Sequence, residues 1–206
     1  MIDFAAERFV AVVRHTDPAV AECIARAAHA GGLRLLEITT TVPGAASLVA
    51  SLRAELPGAV VGAGTVLTSA AASEVVAAGA QFVVSPGLRP EVLDACRSAG
   101  VLAVPGAFTL TELLVARDAG ASVVKVFPAG SLGPSVVSAF RDVLPDVELL
   151  PTGGISVEDA PRWWERGAVA VGIGSELVRA WDSGGADAVR RLARAAVDLA
   201  RRPATG

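Results

Sequence analysis

Lys125 is the one lysine of the chain; the other 17 of its 18 basic residues are arginines. It sits in Val123-Val124-Lys125-Val126-Phe127, a β-branched run with apolar residues on both sides. Alternation along a strand puts Val123, Lys125 and Phe127 on one face and Val124 and Val126 on the other. Both faces are then apolar, so the strand is expected to be buried on both sides. Lysines are rarely buried, and burial favours the neutral amine. A neutral amine in an apolar pocket can add to a carbonyl and form a Schiff base, which a guanidinium cannot do. Glu37 follows Leu35-Leu36 near the end of another apolar run. A carboxylate beside such an amine can move protons while an imine forms and while an enamine is protonated. The plainer alternative for both residues is a structural ion pair in which each balances the other's charge.

The elements that must position these groups follow a rhythm. Short apolar runs recur at 9–13, 33–39, 60–64, 82–85, 102–104, 123–127, 149–152 and 169–172. Their spacing is about that of one βα unit. Helix-like stretches lie between them. In 17–30, Asp17 can cap, Pro18 suits the first helical position and Gly31-Gly32 ends the helix. A stretch from Thr68 or Ser69 to Ala78 stops at Gly79, and one over 89–99 carries Pro90 near its start and Gly100 after it. Thr109-x-x-Glu112 is a capping box for a helix ending at Gly120, and Ser156-x-x-Asp159 opens one ending at Gly167. The stretch 186–202 carries five arginines, Arg190, Arg191, Arg194, Arg201 and Arg202, and reads as a terminal helix with a solvated basic face. Eight strand–helix units favour a compact (β/α)8 TIM barrel over an open doubly wound sheet, although such barrels usually take about 250 residues. No linker or charge run divides residues 1–206, so a single domain is expected.

In either architecture ligands bind at the carboxyl ends of the strands. Arg14 follows the first run, Thr39-Thr40-Thr41 ends the second and Gly62-Ala63-Gly64-Thr65 ends the third. Ser85-Pro86-Gly87, Pro105-Gly106, Phe127-Pro128 and Pro151-Thr152-Gly153-Gly154 follow in turn, and Gly172-Ile173-Gly174-Ser175 ends the last. Turn-making accounts for the glycines and prolines but not for Arg14, Glu37 and Lys125 on the same rim. The last two loops, with Gly153, Gly154, Gly174 and Ser175, occupy the place where barrels commonly bind phosphate through backbone N–H groups. Gly62-x-Gly64 is no dinucleotide fingerprint, because Leu67 takes the third glycine's place; it reads as a tight wall with the Thr65 hydroxyl facing substrate. His15 and His29 are the only histidines and stand in no metal-ligand spacing. Cys23 and Cys96 fall on helical stretches and read as small core residues.

Composition narrows the function classes. Eighteen basic against 21 acidic residues give a net charge of −3, so neither nucleic acid nor an anionic membrane surface is expected as a partner. With no tyrosine, six phenylalanines and three tryptophans, base-stacking platforms are not expected either. Two distant cysteines exclude a disulfide framework and fit a reducing, cytoplasmic setting. The start Met1-Ile2-Asp3-Phe4 lacks the basic opening of a secretory leader, and no apolar run reaches the ~20 residues of a membrane span.

The ordered set Glu37-Ile38-Thr39-Thr40-Thr41-Val42-Pro43, Gly62-Ala63-Gly64-Thr65-Val66, Ser85-Pro86-Gly87, Pro105-Gly106 with Thr109-x-Thr111-Glu112, Lys125-Val126-Phe127-Pro128-Ala129 and Pro151-Thr152-Gly153-Gly154-Ile155 resembles the 2-keto-3-deoxy-6-phosphogluconate aldolase family. That family includes 4-hydroxy-2-oxoglutarate aldolases, and the resemblance runs from about Val10 to Val178. It implies a compact (β/α)8 barrel, a homotrimer, and a class I aldolase that uses no metal or other cofactor. The implied ligands are a 2-keto-3-deoxy acid phosphate and pyruvate. Lys125 matches the Schiff-base lysine and Glu37 the proton-shuttling glutamate. Thr65, Pro86, Phe127 and Thr152 match the walls of the pyruvate pocket, and Gly153, Gly154, Gly174 and Ser175 the phosphate-binding loops.

The chain departs from the pattern in one place. Many members carry arginine four residues after the glutamate, where it helps hold the substrate carboxylate; here that residue is Thr41. Other members share the Thr-Val-Pro turn and carry arginine at the end of the first strand, which makes Arg14 the candidate for that task. The last loop is also Gly-Ile-Gly-Ser rather than Gly-Gly-Ser. The departure bears on substrate preference: the gluconate series, the 2-keto-3-deoxy-6-phosphogalactonate epimer, or 4-hydroxy-2-oxoglutarate. Two other classes stand as alternatives. A phosphosugar isomerase or epimerase would need a metal site or a carboxylate pair on the rim, and a non-catalytic sugar-phosphate binder would never trap pyruvate covalently.

Overall fold

The computed structural model describes residues 2–202; Met1 and residues 203–206 of the expected single domain lie outside the described residues. A short helix α1 (Phe4–Glu7) leads into β1 (Phe9–Val13), α2 (Pro18–Ala30), β2 (Leu35–Thr39), α3 (Ala45–Glu55), β3 (Val60–Gly64) and α4 (Ser69–Ala77). Then come β4 (Phe82–Val84), α5 (Pro90–Ser98), β5 (Leu102–Val104), β6 (Gly106–Ala107), α6 (Leu110–Asp118), β7 (Val123–Val126), α7 (Ser135–Val143), β8 (Glu148–Pro151), α8 (Ala160–Trp164), β9 (Val171–Ile173) and α9 (Ser175–Ala200). All strand pairs are parallel. One six-stranded sheet runs β5-β4-β3-β2-β1-β9, and a three-stranded sheet runs β6-β7-β8. The molecule is thus an α/β fold built on parallel sheets.

The expected fifth strand is β5, and a further short strand, β6, follows it. Pro105 stands between β5 and β6, has no N–H to give to a ladder, and ends the first sheet there. Its carbonyl still accepts from the Lys125 N–H at 2.8 Å. The last strand lies two residues later at its start than the apolar run suggests, and Gly172 falls inside it.

Helix ends follow the side chains that cap them. Asp17 accepts from Ala19 N and Thr68 from Ala71 N. Thr109 and Glu112 form the reciprocal capping box of α6. Helices α3 and α7 are not among the stretches legible in the sequence, and neither has a side-chain cap. Ser156 and Asp159 cap each other as expected, but the helix begins only at Ala160 and is short. The α9 segment is two helices joined across a kink at Gly184-Gly185, where Gly185 takes φ 59°; the second, after Gly185, is the terminal helix expected from residue 186. The five arginines of its last part are exposed, while Val189, Ala193 and Ala196 form its buried face.

Alternation sorts the strand side chains into two cores. Ala11, Leu36, Ile38, Val61, Val83, Val124 and Leu149 pack against the helices. Val10, Val12, Leu35, Phe82, Val84, Val104, Val123 and Leu150 meet in an inner cluster drawn from both sheets. Phe4 closes this cluster near the strand starts, edge to face with Phe82 at 5.9 Å between ring centroids. Cys96 belongs to the helix-side core, where burial raises its thiol to about 11. Cys23 does not join the core: it lies on the outer side of α2, exposed.

Glu112 accepts from the N–H groups of Phe108 and Thr109, and these bonds lower its carboxyl below the ordinary value of 4.5. A carboxyl depressed in the folded state stabilises above its unfolded value and loses that contribution as pH falls through the folded one. Glu112→Gln is therefore expected to be less stable than wild type at neutral pH. Urea titrations at a series of pH values should show the difference shrinking below about pH 4.5.

Candidate active site

Five polar side chains are buried among the described residues: Glu37, Thr39, Ser85, Lys125 and Thr152. All lie at or beyond the midpoints of their strands, opposite the Phe4–Phe82 plug. Glu37 and Lys125 are the charged pair. Lys125 Nζ donates to Glu37 Oε1 at 3.3 Å, with 4% of the lysine and none of the glutamate exposed. Strand β7 presents the lysine to the interior as alternation requires, with Val124 and Val126 on the helix side. Phe127, half-buried, places its ring centroid 5.4 Å from the ammonium nitrogen. The other carboxylate oxygen, Glu37 Oε2, has no hydrogen-bond partner among the described residues. A buried acceptor left open costs free energy, so it marks a place for a proton or a polar ligand atom.

The room for Glu37 is made by glycine. A Cβ on Gly64 would overlap the Glu37 carboxylate. The tight wall expected at Gly62–Thr65 is therefore a cradle: Gly62 admits the Phe82 ring, and Gly64 admits Glu37. Thr65 continues from that cradle with φ 56°, and its hydroxyl accepts from the Arg14 guanidinium at 2.9 Å. Arg14 and Thr65, 51 residues apart, thus meet on the rim. Pro86 backs onto Gly106, where a Cβ would overlap its carbonyl.

The later loops converge as well. Thr152 pairs with Gly172 in an isolated parallel bridge, and the glycine leaves room for its hydroxyl. Gly153 and Gly154 take φ 91° and 78°, which side chains rarely adopt. Neither N–H makes a hydrogen bond among the described residues. Gly174 precedes α9, whose first turn begins at Ser175 and has no side-chain cap. Glu176 accepts from Val157 N at 2.7 Å and so ties α9 to the chain that follows Gly154. His15 turns inward on its own loop, its Nδ1 accepting from Asp17 N, and His29 faces the Leu33 carbonyl. No group of three or more His, Cys, Asp or Glu stands in metal-ligating proximity among the described residues. The sequence reading placed Thr39-Thr40-Thr41 on the rim but assigned no role to the hydroxyls of Thr39 and Thr40.

Parallel strands with an amine and a carboxylate buried together at their carboxyl ends define an α/β protein built around a buried lysine–glutamate pair. The family model for KDPG and KHG aldolase matches residues 3–192, and the chain belongs to that family. It is 36% identical over 188 residues to the 2-dehydro-3-deoxy-phosphogluconate aldolase of Pseudoalteromonas atlantica, covering 90% of this chain and 85% of that one. It is likewise 36% identical over 178 residues to the probable 2-dehydro-3-deoxy-6-phosphogalactonate aldolase of Rhizobium meliloti, covering 85% and 84%. Among solved structures it superposes with a TM-score of 0.85, at 32% identity, on the KDPG aldolase of Legionella pneumophila with pyruvate captured as a covalent carbinolamine. That match covers 94% of this chain and 95% of the other.

Gly64→Ala is expected to cost about 1–3 kcal/mol through overpacking against the Glu37 carboxylate. In a Glu37→Ala background the same substitution should cost much less, because the clashing atoms are gone. A double-mutant cycle by denaturant unfolding measures that coupling.

Proposed function

We propose that the chain is a class I aldolase that cleaves 2-keto-3-deoxy-6-phosphogluconate to pyruvate and glyceraldehyde 3-phosphate. The observation that carries this reading is the Lys125–Glu37 pair, buried together at 3.3 Å with one carboxylate oxygen open. Lys125 passes a proton to Glu37, the freed amine adds to the C2 ketone, and Glu37 gives that proton to the ketone oxygen and takes one from the added nitrogen, leaving a carbinolamine. Glu37 returns this proton to the departing hydroxyl, and loss of water leaves a protonated imine. Its nitrogen takes up the electron pair of the C3–C4 bond as the C4 hydroxyl proton leaves to Glu37, directly or through water. Glyceraldehyde 3-phosphate departs, and an enamine of pyruvate remains on Lys125. Protonation at C3 and hydrolysis release pyruvate and restore the amine. No step needs a metal or another cofactor.

The remaining rim residues take matching roles. Arg14, Thr65 and Thr152 hold the carboxylate, and Pro86 and Phe127 pack against the imine and exclude water. Gly153, Gly154, Gly174 and Ser175 hold the phosphate; the open N–H groups of the first two and the uncapped first turn of α9 support this. The same reading takes residues 1–206 as one compact (β/α)8 barrel. Three contacts support closure between the sheets: Lys125 N to Pro105 O, Val169 N to Leu149 O, and the Thr152–Gly172 bridge. Assembly as a homotrimer is part of the proposal, supported by the exposed apolar Leu67, Phe108, Val115 and Val143. So is a cytoplasmic setting, supported by two free cysteines; no helix among the described residues is long and apolar enough to cross a membrane.

A second reading keeps the chemistry and changes the substrate to the galactonate epimer or to 4-hydroxy-2-oxoglutarate. Equal identity to a gluconate-named and a galactonate-named relative favours keeping it, and kcat/KM on each substrate separates the three.

Incubation with pyruvate and borohydride, followed by intact mass and peptide mapping, tests the mechanism. A reduced pyruvyl adduct is expected on Lys125, and Lys125→Ala should carry none and lose turnover to background. Glu37→Gln should lower kcat by about 10²–10⁴-fold. A folded wild-type chain that takes no adduct would remove the mechanism and leave the isomerase and sugar-phosphate-binder readings.

A further inference from the structure

We propose that Thr39 and Thr40, at the end of β2, are positioning residues that hold Arg14 and Thr65 together as the clamp for the substrate carboxylate. The proposal rests on the aldolase reading above. Strand β2 lies between β1 and β3, so its last residues can reach the ends of both neighbours. Thr39 is fully buried, and its hydroxyl donates to the Val13 carbonyl at 3.1 Å, one residue before Arg14. That spends its single proton, so Thr41 is the donor in the 2.8 Å contact between the Thr39 and Thr41 hydroxyls. Thr40 turns the other way. Its hydroxyl donates to the Thr65 carbonyl at 2.7 Å, and its N–H donates to the Gly64 carbonyl at 2.8 Å.

Thr65 needs this support. A β-branched residue at φ 56° is in the left-handed region that such side chains disfavour, and it stays there only when its surroundings over-determine it. The Thr40 hydroxyl on one side and the Val66 N–H to Val84 O bond at 3.1 Å on the other fix the peptide that follows it. The left-handed turn carries the Thr65 hydroxyl to the Arg14 guanidinium. Consecutive threonines thus anchor the ends of β1 and β3 and bring an arginine and a hydroxyl together across the top of β2.

The test compares Thr40→Val, Thr40→Ala and Thr40→Ser, with folding followed by circular dichroism. Valine and alanine should raise the pyruvate concentration for half-maximal borohydride trapping about five- to tenfold, with kcat within about twofold of wild type. Serine, which keeps the hydroxyl, should restore wild-type half-saturation. Thr39→Val, which frees the Val13 carbonyl, should shift it in the same direction and serves if position 40 tolerates neither valine nor alanine. Wild-type half-saturation in folded Thr40→Val or Thr40→Ala, or in Thr39→Val where it serves, overturns the proposal. If wild type itself is not trapped, the aldolase reading fails, and a crystal structure of Thr40→Val decides alone. Thr65 leaving positive φ with loss of the Arg14 contact would support the positioning role, and an unchanged turn would end it.

Discussion

The structure depends on burying an amine and a carboxylate together. Each ion alone would cost several kcal/mol to desolvate, and breaking such a pair by removing one partner typically costs about 3–5 kcal/mol. Lys125 and Glu37 offset that cost only if they arrive side by side from different sheets. This sets demands on everything near them. Strand β2 must present Glu37 opposite Gly62 in register, next to Gly64, because the carboxylate occupies the space a side chain on Gly64 would fill. Strand β7 must present Lys125 to the interior while valines on either side of it face the helices.

The pair also explains the polarity of the molecule. Phe4 and Phe82 pack edge to face in the inner cluster near the strand starts and close it at that end. The five buried residues with polar or charged side chains gather at the opposite end, toward the carboxyl ends of the strands. Pro105 separates β5 from β6 on that side and turns its carbonyl to the Lys125 N–H, so the strand boundary and the lysine's backbone are one feature. A second layer surrounds the pair, with the threonine-anchored Arg14–Thr65 contact on one side and the glycine loops around Thr152 on the other.

Much of this was legible in the sequence because the signals are local. Single-side-chain caps and prolines mark α2, α4, α5 and α6; α3 and α7 escaped because no side chain caps them. Cys23 was expected in the core, yet α2 turns it outward, since small residues lie on both faces of an alanine-rich helix. The terminal helix read from residue 186 begins after the non-helical Gly184-Gly185, and a preceding helix from Ser175, which no capping side chain marks, went unread.

The sequence by itself determined the alternating strand rhythm, the lone lysine inside an apolar strand, the glutamate at a strand end and the glycine-rich rim. Those features depend on residue type and near neighbours, which a linear pattern contains. The tertiary structure alone decided which groups meet. Lys125 and Glu37 are 88 residues apart, and their pairing with one carboxylate oxygen left open follows from strand register and from the space at Gly64. The Arg14–Thr65 contact and the two threonines that support it follow from β2 lying between β1 and β3. Such contacts arise from distances between strand ends, a property of the packed sheet that no local spacing along the chain encodes.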